Sequence, residues 1–295
     1  MKKIKIYNLA ITILLISSLF WSCSEGSFTR VVDLDIEESG SELAVLARMN
    51  TADDKNLILV SETISVLDTG EFRSLSDAQV TLKTPDQGDL QIGFDPQYNL
   101  YSIGDYEFQE GENYTLEVDH PDHALMKADI KVPRGAEIID VKVSDAGGNS
   151  PATLFNIKFK DPAGEDNVYL FRARIIREIV QSKDTSIFDI RFDLSNNILE
   201  YNDNYISDLT FDGKEHELIL IGYSTSSTSQ ETKILGIELD IISLSEDFIL
   251  YDRSVEQAYD AEDNPFVEPS TIYSNFDSGF GIFVVDVVKT FKIEF

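Results

Sequence analysis

Three histidines and one cysteine are the side chains of this protein best equipped for nucleophilic or metal chemistry, set among 53 acidic residues. Two of the histidines lie in His120-Pro-Asp-His123, which places two imidazoles and a carboxylate within four residues. Such a group can ligate a transition metal, but Pro121 and Asp122 are turn formers, and the segment reads first as an exposed turn. His216-Glu217 lacks the second histidine four residues on that a zinc-binding helix requires. No G-x-S-x-G elbow nominates a serine, and no glycine-rich loop before a helix offers a phosphate cradle. The acidic groups Asp33/Asp35/Glu37/Glu38 and Asp260/Glu262/Asp263 are oxygen donors of the kind calcium takes, yet neither has D-x-D-x-D-G spacing. Residues 33, 35 and 37 would share one face of a strand, the pattern of a solvated face. Paired carboxylates for glycoside hydrolysis need a cleft with a defined separation, which no spacing here nominates. The expectation is therefore a protein that is not an enzyme, with no catalytic residues, no metal and no cofactor.

Cys23 carries a different chemistry. Lys2, Lys3 and Lys5 precede an apolar run from Leu9 to Trp21, and the single cysteine follows Ser22. The run is short of the ~20 apolar residues of a comfortable bilayer span, and its charge-then-apolar layout is that of a secretory signal. The arrangement resembles a bacterial lipoprotein signal, cut before an acylated cysteine, with Phe20 and Leu19 where a strict lipobox has one leucine. Residues 1–22 are then a signal peptide, 23–27 an anchor linker, and Cys23 the lipidation site. Multiple acyl chains anchor stably where one binds only marginally, because each buried methylene contributes ~0.8 kcal/mol. A formal charge of −29 excludes sequence-independent nucleic-acid binding, which needs clustered Lys and Arg. It also keeps the chain off anionic headgroups except through the anchor. The localisation expected is the outer membrane, lipid-anchored, on either its periplasmic or its surface side.

Strands must position whatever else the chain does. Leu57–Val60, Ala78–Lys83 and Tyr114–Val118 are short apolar or alternating segments bounded by turn residues, as expected of an immunoglobulin-like β-sandwich over 28–134. Pro133, which cannot donate to a ladder, and Gly135 close that domain. A second β-rich domain over 135–295 is read from Ala136–Val143, Leu154–Phe159, Val168–Ile176, Ile187–Phe192, Glu217–Ile221, Ile234–Leu239 and Gly281–Val288. Tyr223–Gln230 is a polar, low-complexity loop. Ser243-Leu-Ser-Glu246 fits a capping box, and Phe248, Tyr251, Val255 and Tyr259 then form one apolar stripe. The fold class expected is all-β, with two β-sandwich-like domains and one short helix at about 245–259.

Several of these segments together resemble the Bacteroidetes-type outer-membrane lipoprotein family known as domain of unknown function 4249. They are Cys23, Ser76–Leu82, Glu110–Val118, Val132-Pro133, Val168–Arg174, Ile206–Lys214, the helix around Ser245–Tyr259, Asn264–Pro269, Ile272–Asn275 and Gly279–Phe283. The last three are the most specific, since their Pro, Asn and Gly spacing is not generic strand sequence. The resemblance implies an accessory role beside TonB-dependent β-barrel receptors, in uptake or envelope assembly, and brings no catalytic residues. The alternative is a stand-alone envelope lipoprotein that captures a glycan, a peptide or a cation. In either case Phe266, Tyr273 and Phe276 are the expected partner-contacting aromatics, because exposed aromatics anchor interfaces.

Overall fold

The computed structural model describes residues 41–64, 73–104, 106–145, 152–193, 205–224, 232–262 and 270–295, and Ser41–Phe295 forms one compact unit. Cys23 and the acidic group at 33–38 lie outside the described residues. The strands up to residue 131 are β1 (Leu43–Asn50), β2 (Asn56–Glu62), β3 (Gln79–Thr84), β4 (Gly88–Asp95), β5 (Leu100–Ile103), β6 (Asn113–Asp119) and β7 (Met126–Lys131). Next come β8 (Glu137–Asp145), β9 (Ala152–Lys160), β10 (Val168–Ile179), β11 (Thr185–Asp193), β12 (Ile206–Ser207), β13 (Glu215–Ser224) and β14 (Thr232–Leu244). Helix α1 (Glu246–Glu262) and β15 (Phe280–Glu294) complete the order. The described residues are thus all-β with one helix near the C-terminal end.

The strands, expected as two sandwich-like domains, are hydrogen-bonded in one path, β7-β6-β3-β4-β5-β2-β1-β15-β14-β10-β11-β13-β9-β8, with β12 paired to β10. Period-2 burial explains most of them. Along β1, Leu43, Val45, Ala47 and Met49 point inward while Leu46 and Arg48 point out. Two large apolar cores result. The first takes residues from β1 to Val132 and adds Phe276, Phe283, Val285 and Val287 from the far end of the chain. The second runs from Ala136 to Ile241.

β15 is the strand that both cores depend on. Its first half, Phe280–Asp286, pairs in parallel with β1, and its second half, Val287–Glu294, pairs antiparallel with β14. Residues Ile282–Val287 are buried on both faces, because Phe283, Val285 and Val287 enter the first core while Ile282 and Val284 meet α1. The path also returns to β15 at both ends. On the β7 side, the Asp277 N–H donates to the Lys127 carbonyl at 2.9 Å. On the β8 side, Gly135 packs so close to Val287 and Lys289 that a Cβ would clash with both.

Helix α1 starts two residues later than the capping box suggested. Ser243 is a buried residue of β14, and it is the Ser245 Oγ that accepts the Phe248 N–H at 3.3 Å. Glu246 and Asp247 in the first turn complement the helix dipole. Phe248 and Ile249 are buried on the sheet, whereas Tyr259, expected on the same stripe, is 68% exposed. The second half of the helix therefore does not bury the stripe that its sequence offers.

Candidate functional site

The specific Ile272–Asn275 and Gly279–Phe283 segments turn out to be one structural unit. Asn275 donates from Nδ2 to the Phe283 carbonyl at 2.8 Å and accepts the Phe283 N–H on Oδ1 at 2.9 Å. Its side-chain amide thus takes the place of a neighbouring strand on the edge of β15 that β14 does not cover. Gly279 (φ 64°) and Gly281 (φ 140°) bring the chain onto β1, where any Cβ would overlap the Leu43 or Val45 carbonyl oxygen. Phe280, between them, is left 44% exposed. Tyr273 ties the unit to the helix, its N–H donating to Ser254 Oγ at 2.7 Å and its hydroxyl to Asp247 Oδ1 at 2.5 Å. Burial and the Asp247 carboxylate both push the Tyr273 hydroxyl far above the usual phenol range.

A cleft of about 570 Å³ opens between this unit, α1 and the outer face of β1 and β2. Ala44 and Leu46 come from β1, Leu59 from β2, Tyr251 from α1, and Ile272 and Phe280 from the unit itself. Three large apolar side chains, Leu46 (43%), Ile272 (43%) and Phe280 (44%), remain exposed on its walls. Among the described residues, no Asp, Glu, Lys or Arg lines it. Its size is that of a small-ligand site, ~300–1,000 Å³. Below it, Arg48 stacks on Phe248 at 3.7 Å and gives its Nε to buried Asp286 at 2.8 Å, which fixes the helix over β1 and β15.

The sequence named part of this region and misassigned another. Tyr273 is half-buried beside the cleft, as one of its lining residues. Phe276, expected to be an exposed partner contact, is 8% exposed and belongs to the first core, so it serves packing instead. Phe266 lies outside the described residues. Leu46, Ile272 and Phe280, the exposed apolar side chains of the cleft, were not singled out in the sequence. One signal was available: Leu46 is an apolar residue on the polar phase of an otherwise alternating strand.

The histidines and acids resolve into structural roles. His120-Pro-Asp-His123 is a turn, closed by the His123 N–H on the His120 carbonyl at 3.1 Å. Its rings are folded in rather than exposed. His123 Nε2 lies 2.7 Å from Glu62, and His120 lies 3.4 Å from Asp77 and accepts the Asp122 N–H on Nδ1. His216 stacks on Phe211 at 4.1 Å, and burial pushes its pKa down. Among the described residues, Asp161, Asp208 and Asp212 are the carboxylates that converge, with one oxygen of each within 4.8 Å of the others. Each already accepts a hydrogen bond: Asp161 from Gly213 N–H (2.7 Å) and the Tyr169 hydroxyl, Asp208 from Asn167 N–H (2.9 Å), Asp212 from Gly164 N–H (2.8 Å). They pin the turn after β9 to the turn before β13, and burial raises the pKa of Asp161 and of Asp208. No helix among the described residues is long and apolar enough to cross a membrane.

A family model described as "Domain of unknown function (DUF4249)" matches residues 29–292, and the chain belongs to that family. No curated protein matches it.

Proposed function

We propose that this member of the DUF4249 family is a non-enzymatic, lipid-anchored outer-membrane protein that works as an accessory partner of a TonB-dependent β-barrel receptor, in uptake or envelope assembly. The observation that carries the reading is the cleft beside β1: walls that are apolar and, among the described residues, uncharged, on a chain of net charge −29, built from the most specific segments of the sequence. An apolar recess rimmed by a charged surface is what recognition of an apolar group requires. The layout around Cys23 supports the anchor, and the acidic surface supports a protein held at the membrane by that anchor alone. The small-ligand size of the cleft favours the second reading, a stand-alone binding lipoprotein.

Co-purification of the tagged protein from membranes in mild detergent tests the proposal, with Cys23→Ala and Leu46→Glu as comparisons. A near-stoichiometric β-barrel that is lost with Cys23→Ala and weakened by Leu46→Glu is the expected result. A clean monomer from wild-type membranes would refute the accessory role and leave the stand-alone reading.

A further inference from the structure

Strands joined by a hairpin find each other locally, but β1 and β15 cannot, because parallel strands need a long connection. Here the connection takes in nearly every other element: β1 begins at Leu43, and β15 begins at Phe280, after all the other described strands. What β15 fills is a gap in each half of the sheet. In the first half it lies beside β1, and the residues leading into it hold the edge of β7. There the Asp277 N–H donates to the Lys127 carbonyl, and Asp277 Oδ1 accepts the Lys127 N–H at 2.8 Å. Phe283, Val285 and Val287 are buried in that core. In the second half β15 lies beside β14 and packs on Gly135 just before β8, with Phe291 and Ile293 against the second core. Glu110 joins the halves, accepting the Gly135 N–H at 2.7 Å and pairing with Lys289 at 2.5 Å. Without β15, both cores lose a wall, and β1 and β14 each lose a hydrogen-bonded neighbour.

We infer that β15 is a clasp that closes both halves in one step. Neither core is stable before β15 docks, and neither opens while the other stays closed. The time involved is long on the scale of local folding. A hairpin forms in about 1–10 μs, whereas synthesis from β7 to β15 takes on the order of ten seconds at ~5–20 residues per second. The strands of the first half therefore remain open until β15 has been made. On the export reading of the segment around Cys23, that wait leaves the polypeptide unfolded for passage across a membrane.

Hydrogen exchange read by mass spectrometry tests this on the full chain carrying Cys23→Ala. The amides of Tyr114–Val118 in β6 and of Phe155–Phe159 in β9 report on the two halves. During refolding from urea with pulsed labelling, both should gain protection with one time constant, together with Val45–Met49 of β1. At equilibrium both should open at one urea midpoint. Ile293→Ala, which trims a contact with the second core, should lower the β6 midpoint as much as that of β9. Gly281→Ala, which strains the contact with β1, should lower the β9 midpoint as much as that of β6. If Gly281→Ala fails to fold, Ile293→Ala carries the test, since Ile293 is only partly buried. Protection of β6 or β9 in a phase before β1, separate midpoints, or a variant that shifts only its own half would overturn the inference.

Discussion

Replacing Gly281 by alanine should be among the most damaging single-methyl changes possible in this chain. A Cβ at that position would lie 1.9 Å from the Val45 carbonyl oxygen, 2.8 Å from its carbon and 2.9 Å from its nitrogen. These are backbone atoms of a strand held on both sides, so no side chain can rotate away to make room. The backbone angle of 140° adds a second cost, since L residues rarely adopt it. Strained backbone of this kind costs about 1–3 kcal/mol, and overpacking about 1–3 kcal/mol more. The sum, about 2–6 kcal/mol, is a large share of the 5–15 kcal/mol typical of a domain. Gly88→Ala separates the two effects, because Gly88 also has positive φ (73°) but nothing within 4 Å of its Cβ. That variant should lose only the conformational part, ~1–2 kcal/mol. Urea denaturation measures both, as midpoint shifts at unchanged slope. A Gly281→Ala no more destabilised than Gly88→Ala would refute the close approach of β15 to β1, and with it the placement of Phe280 in the cleft.

Asn275→Ala removes both hydrogen bonds to Phe283 and should cost about 2–4 kcal/mol, since an unpaired buried backbone group costs ~1–3 kcal/mol; thermal melting checks it. Tyr169→Phe takes a hydroxyl from buried Asp161 and should destabilise by ~1–3 kcal/mol, with the Asp161 carboxyl moving further upward in a titration followed by NMR. Asp286 is pushed above the ordinary carboxylate range by burial, with Arg48 pulling it back down. The folded state therefore binds this proton more tightly than the unfolded chain, and stability is lost as pH rises from the ordinary carboxylate value through the raised one. Wild type should accordingly gain on Asp286→Asn as pH is lowered from 7 through that window; a stability difference flat with pH would contradict the burial. Leu46→Glu, on an exposed position, should shift stability by no more than about 0.5 kcal/mol while weakening whatever the cleft binds.

Alternation made β6 and most of β9 legible, because from Tyr114 to Val118 and from Leu154 to Phe159 one face is buried and the other is not, so side chains two apart share a fate. It could not describe Ile282–Val287. There the first core covers one face and α1 covers the other, and a strand buried twice carries no period. The same double burial hid the partner of β15, since its parallel neighbour β1 lies at the opposite end of the described chain. Distance along the chain also hid the carboxylate cluster. Asp161 and Asp208 sit in separate turns, and only the packing of β9, β10 and β13 brings them together. The local acidic runs at 33–38 and 260–263 are conspicuous in the sequence, but neither has the spacing of a calcium loop. The aromatics show a subtler failure. Phe276 and Phe280 stand four apart in one turn-rich stretch, and composition gives no reason to bury the first and expose the second. The backbone gives one: Gly279 and Gly281 press the chain onto β1, so the residue between them cannot turn inward and its ring must line the cleft. The glycines therefore serve fold and site at once. A sequence reader who sees them only as turn formers is right about the backbone and still misses the side chain that they expose.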